Sequence, residues 1–115
     1  MSKCDWVEEF GAAITVCDVN GVVVEINKRS RASFSDQEGE HLMGTNILDC
    51  HPEPARSKVV ELLKTQGTNV YTIEKKGRRK LIYQAPWYKD GVFAGLVEIS
   101  LPIPNEMPHF NRDKK

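Results

Sequence analysis

The sequence predicts a single α+β domain in which a five-stranded antiparallel sheet has helices packed on one face. Three observations predict this fold. The chain length of 115 residues suits one hydrophobic core. Pairs ending in glycine separate short apolar, β-branched runs, which is the pattern of β-hairpins. The segment between the second and third runs has helical periodicity instead of strand alternation.

The strands follow from the turns. Asn20-Gly21 lies between "AAITVCDV" and "VVVEIN" and predicts the first hairpin, because both residue types tolerate positive φ. Lys76-Gly77 and Asp90-Gly91 separate three further runs, so the last three strands are expected to form an antiparallel meander. Pro86 lacks the N–H that a strand ladder uses, which predicts a bulge or a locally unpaired edge.

The last strand, "GLVEISLPI", alternates apolar and polar side chains. Alternation places Glu98 and Ser100 on one face of the sheet. The other face then carries four apolar side chains: Val97, Ile99, Leu101 and Ile103.

Helices are expected between the two groups of strands. "NKRSRASFS" predicts a short helix, and "DQEGEHLMGTN" predicts loops and single turns. The longest helix is predicted from Pro52, which suits a first helical position, to Gln66, with Gly67 as the stop signal. Its apolar stripe is expected to face the sheet: Ala55, Val59, Leu62 and Leu63.

These elements divide the chain into three parts. Residues 1–10 are predicted to form an N-terminal helical segment, residues 11–103 the domain, and residues 104–115 a polar tail. Trp6, Val7 and Phe10 form an apolar stripe that needs a covering surface. We therefore expect a homodimer through the N-terminal segment and the sheet.

Composition limits the classes of function. The 16 basic and 16 acidic residues cancel, which leaves no overall charge for binding nucleic acid or an anionic membrane, and we expect neither partner. No apolar run approaches the ~20 residues of a membrane helix. Three widely spaced cysteines argue against a disulfide framework, so we expect a reducing, cytoplasmic location.

Several motifs resemble those of the PAS family. "AITVCDVNGVVVEINKRSRASF" is similar to a PAS opening, with five matching positions: Asp18, Gly21, Asn27, Ala32 and Phe34. "MGTNILD" resembles the step that follows, and "GLVEISLPI" resembles the closing strand. The likeness covers residues 10–103 and extends to PAS modules of poorly characterised bacterial and archaeal proteins.

The resemblance implies a sensory or interaction domain in signal transduction, not an enzyme. PAS domains bind haem, flavin or small organic ligands between the sheet and the helices, or bind nothing and dimerise. We therefore expect a sensor domain that binds a small ligand or a partner, with a separate effector protein as a further candidate partner. The alternatives are a haem-binding gas or redox sensor and a ligand-free dimerisation module.

"NILDCHPEPAR" contains two candidate cofactor ligands, Cys50 and His51. Histidine is the usual proximal ligand of haem, and a cysteine thiolate is the other option. The competing interpretation makes His51 the N-cap of the long helix, because a residue before proline is held extended. His41 and His109 have no companion ligand at useful spacing, and we expect them to be exposed.

Covalent flavin chemistry and catalysis are not expected. Light-sensing relatives use Gly-x-Asn-Cys, whereas this chain has Ile47 after Asn46, and Ile47 cannot form a thioether adduct. Cys50 and His51 are neighbours in sequence, and such residues rarely face each other as a nucleophile and base would. A redox-sensing role for Cys50 stays open, because a helix N-terminus lowers the pKa of a thiol.

Apolar and aromatic strand residues are the candidate walls of a ligand cavity beside Cys50 and His51: Tyr71, Ile73, Tyr83, Trp87 and Leu96. Three of them, Tyr71, Tyr83 and Trp87, are predicted to share one face of the sheet, either as core or as a cavity wall. The basic run at residues 75–80 is predicted to be a solvated hairpin tip. Its alternative role is to bind an acidic partner or nucleic acid.

Overall fold

The computed structural model describes residues 5–33 and 42–113, and for Cys50 it describes the backbone alone. Phe34 and His41 lie outside the described residues. The helices are α1 (Asp5–Glu8), α2 (Lys28–Ala32), a 3-10 helix (Ile47–Cys50) and α3 (Ala55–Thr65). The strands are β1 (Ala13–Cys17), β2 (Val23–Ile26), β3 (Asn69–Lys75), β4 (Arg78–Lys89) and β5 (Val92–Ile103).

The five strands form one antiparallel sheet in the order β2-β1-β5-β4-β3. The α+β class and the five-stranded antiparallel sheet are therefore confirmed. No helix among the described residues is long and apolar enough to cross a membrane.

The two later hairpins turn as predicted. Lys76 and Gly77 have φ angles of 54° and 76°, and Asp90 and Gly91 have 52° and 80°. Two consecutive positive φ angles define the type I′ turn that suits a two-residue hairpin. β3 begins opposite Gln84, so the later part of β4, including its proline, has no partner on that side. This is the unpaired edge that the proline predicts.

Helix α3 begins three residues later than predicted. Pro54 takes the N-cap position, and the helix starts at Ala55 instead of Pro52. A proline disfavours helical backbone in the residue before it, so the helix cannot run through Glu53. Gln66, at φ 59°, ends the helix one residue before the predicted glycine. Two residues of the predicted stripe are buried against the sheet: Val59 and Leu62.

One hydrophobic core fills the space between the helices and the sheet, with members from both: Cys17, Val23, Ile26, Leu42, Ile47, Val59, Leu62 and Leu96. The Cys17 thiol is free and buried. Burial raises the pKa of this thiol, so it behaves as a small apolar side chain.

The helices cover the polar-looking face of β5. Pairing places Glu98 beside Thr15 of β1 and Gln84 of β4, and this row lies under the helices. The apolar residues of β5 lie on the opposite, outer face of the sheet, where they are half-buried: Val97, Ile99, Leu101 and Ile103. Alternation was predicted correctly, but it is the face with the carboxylate that turns inward.

Asn27 joins the N-terminal segment to the sheet. Its side chain is fully buried and makes four hydrogen bonds. The amide oxygen accepts from the backbone N–H groups of Ile14 and Ser30, at 2.9 and 3.0 Å. The amide nitrogen donates to the carbonyls of Val7 and Ala12, both at 2.9 Å. Every bonding site of the amide is therefore used.

Gly95 lets β5 pass close to the end of β1. A Cβ atom at this position would lie 1.9 Å from the carbonyl oxygen of Cys17. The indole of Trp87, paired with Gly95 on the neighbouring strand, donates to the same oxygen at 3.0 Å. The absence of a side chain at Gly95 thus permits both contacts.

Candidate functional site

A chain of polar side chains runs from the entry of α3 across three strands. His51 Nε2 lies 3.4 Å from Glu98 Oε1 on β5. Gln84 on β4 donates to the same oxygen at 2.7 Å. Asn69 on β3 donates from Nδ2 to the Gln84 amide oxygen at 2.9 Å. The register places Asn69, Gln84 and Glu98 in one row, so the strands hold these three groups side by side.

His51 is not the N-cap of α3, which corrects the simpler of the two interpretations. It is the C-cap of the 3-10 helix, with φ −115° and ψ 111°. Its Nδ1 lies 2.8 Å from the carbonyl oxygen of Ile47 in the same helix. The short 3-10 turn at Ile47–Cys50, which the sequence pattern did not indicate, directs the imidazole toward β5.

These contacts determine where His51 carries its protons. The Ile47 carbonyl can only accept a hydrogen bond, so Nδ1 must carry a hydrogen. In the neutral imidazole, Nε2 then presents a lone pair to the Glu98 carboxylate. A favourable contact between Nε2 and Oε1 therefore requires a proton between them.

The pair stabilises its charged form. The hydrogen bond to Glu98 raises the pKa of His51, and its effect outweighs desolvation by burial, which acts in the opposite direction. Burial of Glu98 favours its neutral acid, but hydrogen bonds from His51 and Gln84 outweigh burial and lower the pKa of Glu98. Between pH 4.5 and pH 6.5, these two shifts favour an imidazolium facing a carboxylate.

An open pocket of about 500 Å³ lies beside Asn69, at the other end of the chain of polar side chains. It is formed between the first turns of α3 and the start of β3. Its walls combine a proline, a tyrosine and several hydrogen-bonding groups: Pro54, Ala55, Ser57, Lys58, Glu61, Asn69, Tyr71 and Gln84. Gln84 is only 2% exposed and forms the floor. Lys58 and Glu61 lie 3.4 Å apart in an ion pair on α3.

The candidate wall residues do not converge on this pocket. Tyr71 lines it, and burial together with the nearby Glu98 charge raises the pKa of its hydroxyl. Leu96 belongs to the core, and Ile73 is exposed farther along β3. The Cys50 side chain lies outside the described part of the structure.

The predicted shared face of Tyr71, Tyr83 and Trp87 is wrong. Tyr71 pairs with Ile82, so the next residue of β4, Tyr83, lies on the opposite face. Trp87 is four residues beyond Tyr83 with no shift of register between them, so it lies on the outer face too. Side chains alternate along each strand, and only the register of β3 against β4 could decide which residues match.

The pocket residues that sequence reasoning missed are polar. Gln84 is the only uncharged polar residue besides tyrosine in "LIYQAPWY", and Asn69 opens the strand opposite it. An uncharged amide in an otherwise apolar strand could have marked a buried polar site. The helix residues Ser57, Lys58 and Glu61 gave no such signal, because they match an ordinary solvated helix face.

The surroundings of His51 do not fit a haem. Nδ1 is bound to a carbonyl, so only Nε2 could bind iron, and Nε2 faces the Glu98 carboxylate. Iron in that place would leave the Glu98 charge without its imidazolium partner. Across residues 5–33 and 42–113, no three histidine, cysteine or acidic side chains are grouped as a metal site.

Several solved structures have a similar arrangement of helices and strands. A sensory box sensor histidine kinase from Vibrio cholerae aligns with a TM-score of 0.60 and 19% identity, over 87% of this chain and 88% of that one. The PAS domain of an HTR-like protein from Haloarcula marismortui aligns with a TM-score of 0.58 and 17% identity, over 85% of this chain and 86% of that one.

The Aer2 receptor from Vibrio cholerae, a dual PAS-haem oxygen sensor, aligns with a TM-score of 0.58 and 16% identity, over 81% of this chain and 95% of that one. Neither a protein-family model nor a curated protein sequence matches this chain. The similarity therefore lies in the arrangement of the elements, and that arrangement shows that the chain has the PAS fold.

Proposed function

We propose that this domain is a non-catalytic sensor that binds a small polar organic molecule in the pocket between α3 and β3. The observation that carries this proposal is the composition of the pocket walls. The buried Gln84 amide and the half-buried Asn69 amide form the floor, Tyr71 offers a ring and a hydroxyl, and Pro54 adds an apolar edge. Pockets with a few placed polar groups among apolar walls are typical of ligand sites.

The walls favour a ligand of a particular kind. Asn69 uses one N–H for Gln84, which leaves its oxygen and second N–H for a ligand. Tyr71 supplies an aromatic ring to the pocket wall, and aromatic rings favour flat molecules. The ion pair Lys58–Glu61 supplies charges of both signs, so a neutral or zwitterionic compound with amide or hydroxyl groups fits best.

Hydrogen bonds connect the pocket to the C-terminal end of the domain, so ligand binding can affect that end. Gln84 is bonded to Glu98, and Glu98 lies on β5, the strand that leads into the C-terminal tail. Arg79 on β4 donates to the Asn105 carbonyl of the tail at 3.1 Å. A ligand that alters Gln84 would thus bias β5 and the tail, and through them an effector or partner.

The pocket is tested by native mass spectrometry of the purified protein for retained small molecules, followed by fragment binding in NMR spectra. Tyr71→Ala is expected to weaken retention or fragment binding at least tenfold, because it removes the ring and the hydroxyl of the wall. Tyr83→Ala is the matched control, because Tyr83 is similarly exposed (41% against 38%) but lies on the outer face. Equal losses in both variants, or no bound molecule in any protein, would contradict the proposal.

A second candidate function is self-association through the outer face of the sheet. Val70 is 50% exposed there, in one row with Tyr83, Ile99 and Ile14 of the neighbouring strands. Trp6 and Phe10 add an exposed edge-to-face aromatic pair, with ring centroids 5.7 Å apart. Apolar surface of this kind favours a second copy of the chain as its cover.

Analytical ultracentrifugation tests this second candidate. Val70→Glu places a charge in the apolar row and is expected to raise the dimer dissociation constant at least tenfold. Val92→Glu is the control, because Val92 is 68% exposed at the start of β5, beside the β4–β5 turn. A wild-type protein that is monomeric at high concentration would remove this candidate and leave the pocket proposal untouched.

A further inference from the structure

We infer that His51 and Glu98 form a proton switch that connects the entry of α3 to the floor of the pocket. The switch holds a proton between Nε2 and Oε1, and loss of that proton breaks the connection. This pair lies apart from the pocket walls, and its titration can be measured in the ligand-free protein. Its effect on ligand binding rests on the function proposed above.

The first support is the geometry of the imidazole. Its Nδ1–H is committed to the Ile47 carbonyl at 2.8 Å, so the ring cannot present a different hydrogen to Glu98 by changing tautomer. When His51 is neutral, a lone pair faces a carboxylate oxygen 3.4 Å away. Only protonation converts that repulsion into a charge-assisted hydrogen bond.

The second support is the lack of another cation at Glu98 among the described residues. On β1 the neutral Thr15 is paired with Glu98. The charge of Glu98 raises the pKa of the Cys17 thiol on β1 and of the Tyr71 hydroxyl on β3, so a negative charge on either group would repel the carboxylate. β4 contributes the neutral Gln84 amide. The two charged residues of α3 at the pocket, Lys58 and Glu61, pair with each other. His51 is therefore the group that balances the charge of Glu98.

The third support is continuity with the pocket. Glu98 Oε1 accepts from both His51 and Gln84, so a change at one bond alters the other. Gln84 in turn accepts from Asn69, and both amides line the pocket. A proton on His51 thus fixes the orientation of the amide floor. By linkage, a ligand that depends on that orientation must also change the proton affinity of His51.

The switch is tested in ligand-free protein by NMR titration of the histidine ring and the side-chain amides. His51 is expected to titrate with a pKa above the ordinary 6.5, because of its hydrogen bond to Glu98. The side-chain amide signals of Gln84 and Asn69 are expected to shift with the same midpoint. Glu98→Gln keeps the size of the side chain and is expected to lower the pKa of His51.

Stability gives a second measurement with a defined sign. His51 has a raised pKa, so its contribution to stability is complete below pH 6.5 and is lost as the pH rises through the folded-state pKa. Glu98 has a lowered pKa, so its contribution is complete above pH 4.5 and is lost as the pH falls. In a double-mutant cycle of His51→Gln and Glu98→Gln, the coupling should therefore be largest between these two values.

Two results would overturn the switch. One is a pKa of His51 that Glu98→Gln leaves unchanged. The other is a His51 titration that the amide signals of Gln84 and Asn69 do not follow. Failure of the pocket proposal would give a different result. The His51 titration in ligand-free protein, with its linked Gln84 and Asn69 signals, would be observed, but no small molecule would bind.

Discussion

Replacement of Gly95 by alanine is expected to lower the free energy of unfolding by about 3 kcal/mol or more. The added Cβ would lie 1.9 Å from the Cys17 carbonyl oxygen and 2.8 Å from backbone atoms of Asp18. Backbone atoms cannot rotate away as a flexible side chain can, so β5 and β1 would have to separate. The φ angle of 143° adds strain, because residues with a Cβ rarely adopt it.

The control for Gly95→Ala is Gly91→Ala, measured by urea unfolding under the same conditions. Gly91 also has a positive φ, 80°, but no atom lies within 4 Å of the position its Cβ would take. Its substitution should cost about 1–2 kcal/mol, the strain of the backbone alone. Equal losses in the two variants would show that the close approach of β5 to β1 does not limit stability.

Replacement of Asn27 by alanine is also expected to lower the free energy of unfolding strongly. The backbone N–H groups of Ile14 and Ser30 would lose their acceptor, and the carbonyls of Val7 and Ala12 would lose a donor. Buried polar groups left without partners cost about 1–3 kcal/mol each, so we expect a total loss of at least about 3 kcal/mol. α2 would lose its N-cap, and α1 its bond to the sheet.

Asn27→Asp separates the two halves of this network. The aspartate keeps an acceptor for Ile14 and Ser30 but cannot donate to Val7 and Ala12. We expect hydrogen exchange to speed up in the N-terminal segment more than in α2. Asn20→Ala, at an exposed loop position, is the control and should change stability by less than about 0.5 kcal/mol. A stability loss for Asn27→Ala no larger than that of this control would contradict the role of the network.

Much of the fold could be predicted because its signals are local. The turns at Lys76-Gly77 and Asp90-Gly91 need positive φ at two successive residues, and the residue types there favour that conformation. Strand alternation on β5 and the apolar stripe of α3 are local signals too, because each depends only on residues that are close together in the sequence. The start of α3 was misplaced because two prolines compete in "HPEPAR", and the second one determines where the helix can begin.

The candidate site was predicted less well, because its members meet only through tertiary contacts. Local sequence pattern was sufficient for the strands, the two later turns and the main helix. The folded structure directs His51 toward Glu98 and places it at the end of the 3-10 helix, not at the start of α3. It also decided that Tyr71 and Tyr83 lie on opposite faces and that Asn69, Gln84 and Glu98 share one row. The physical reason is register: local pattern shows that side chains alternate, but pairing of distant strands sets which face turns toward the helices.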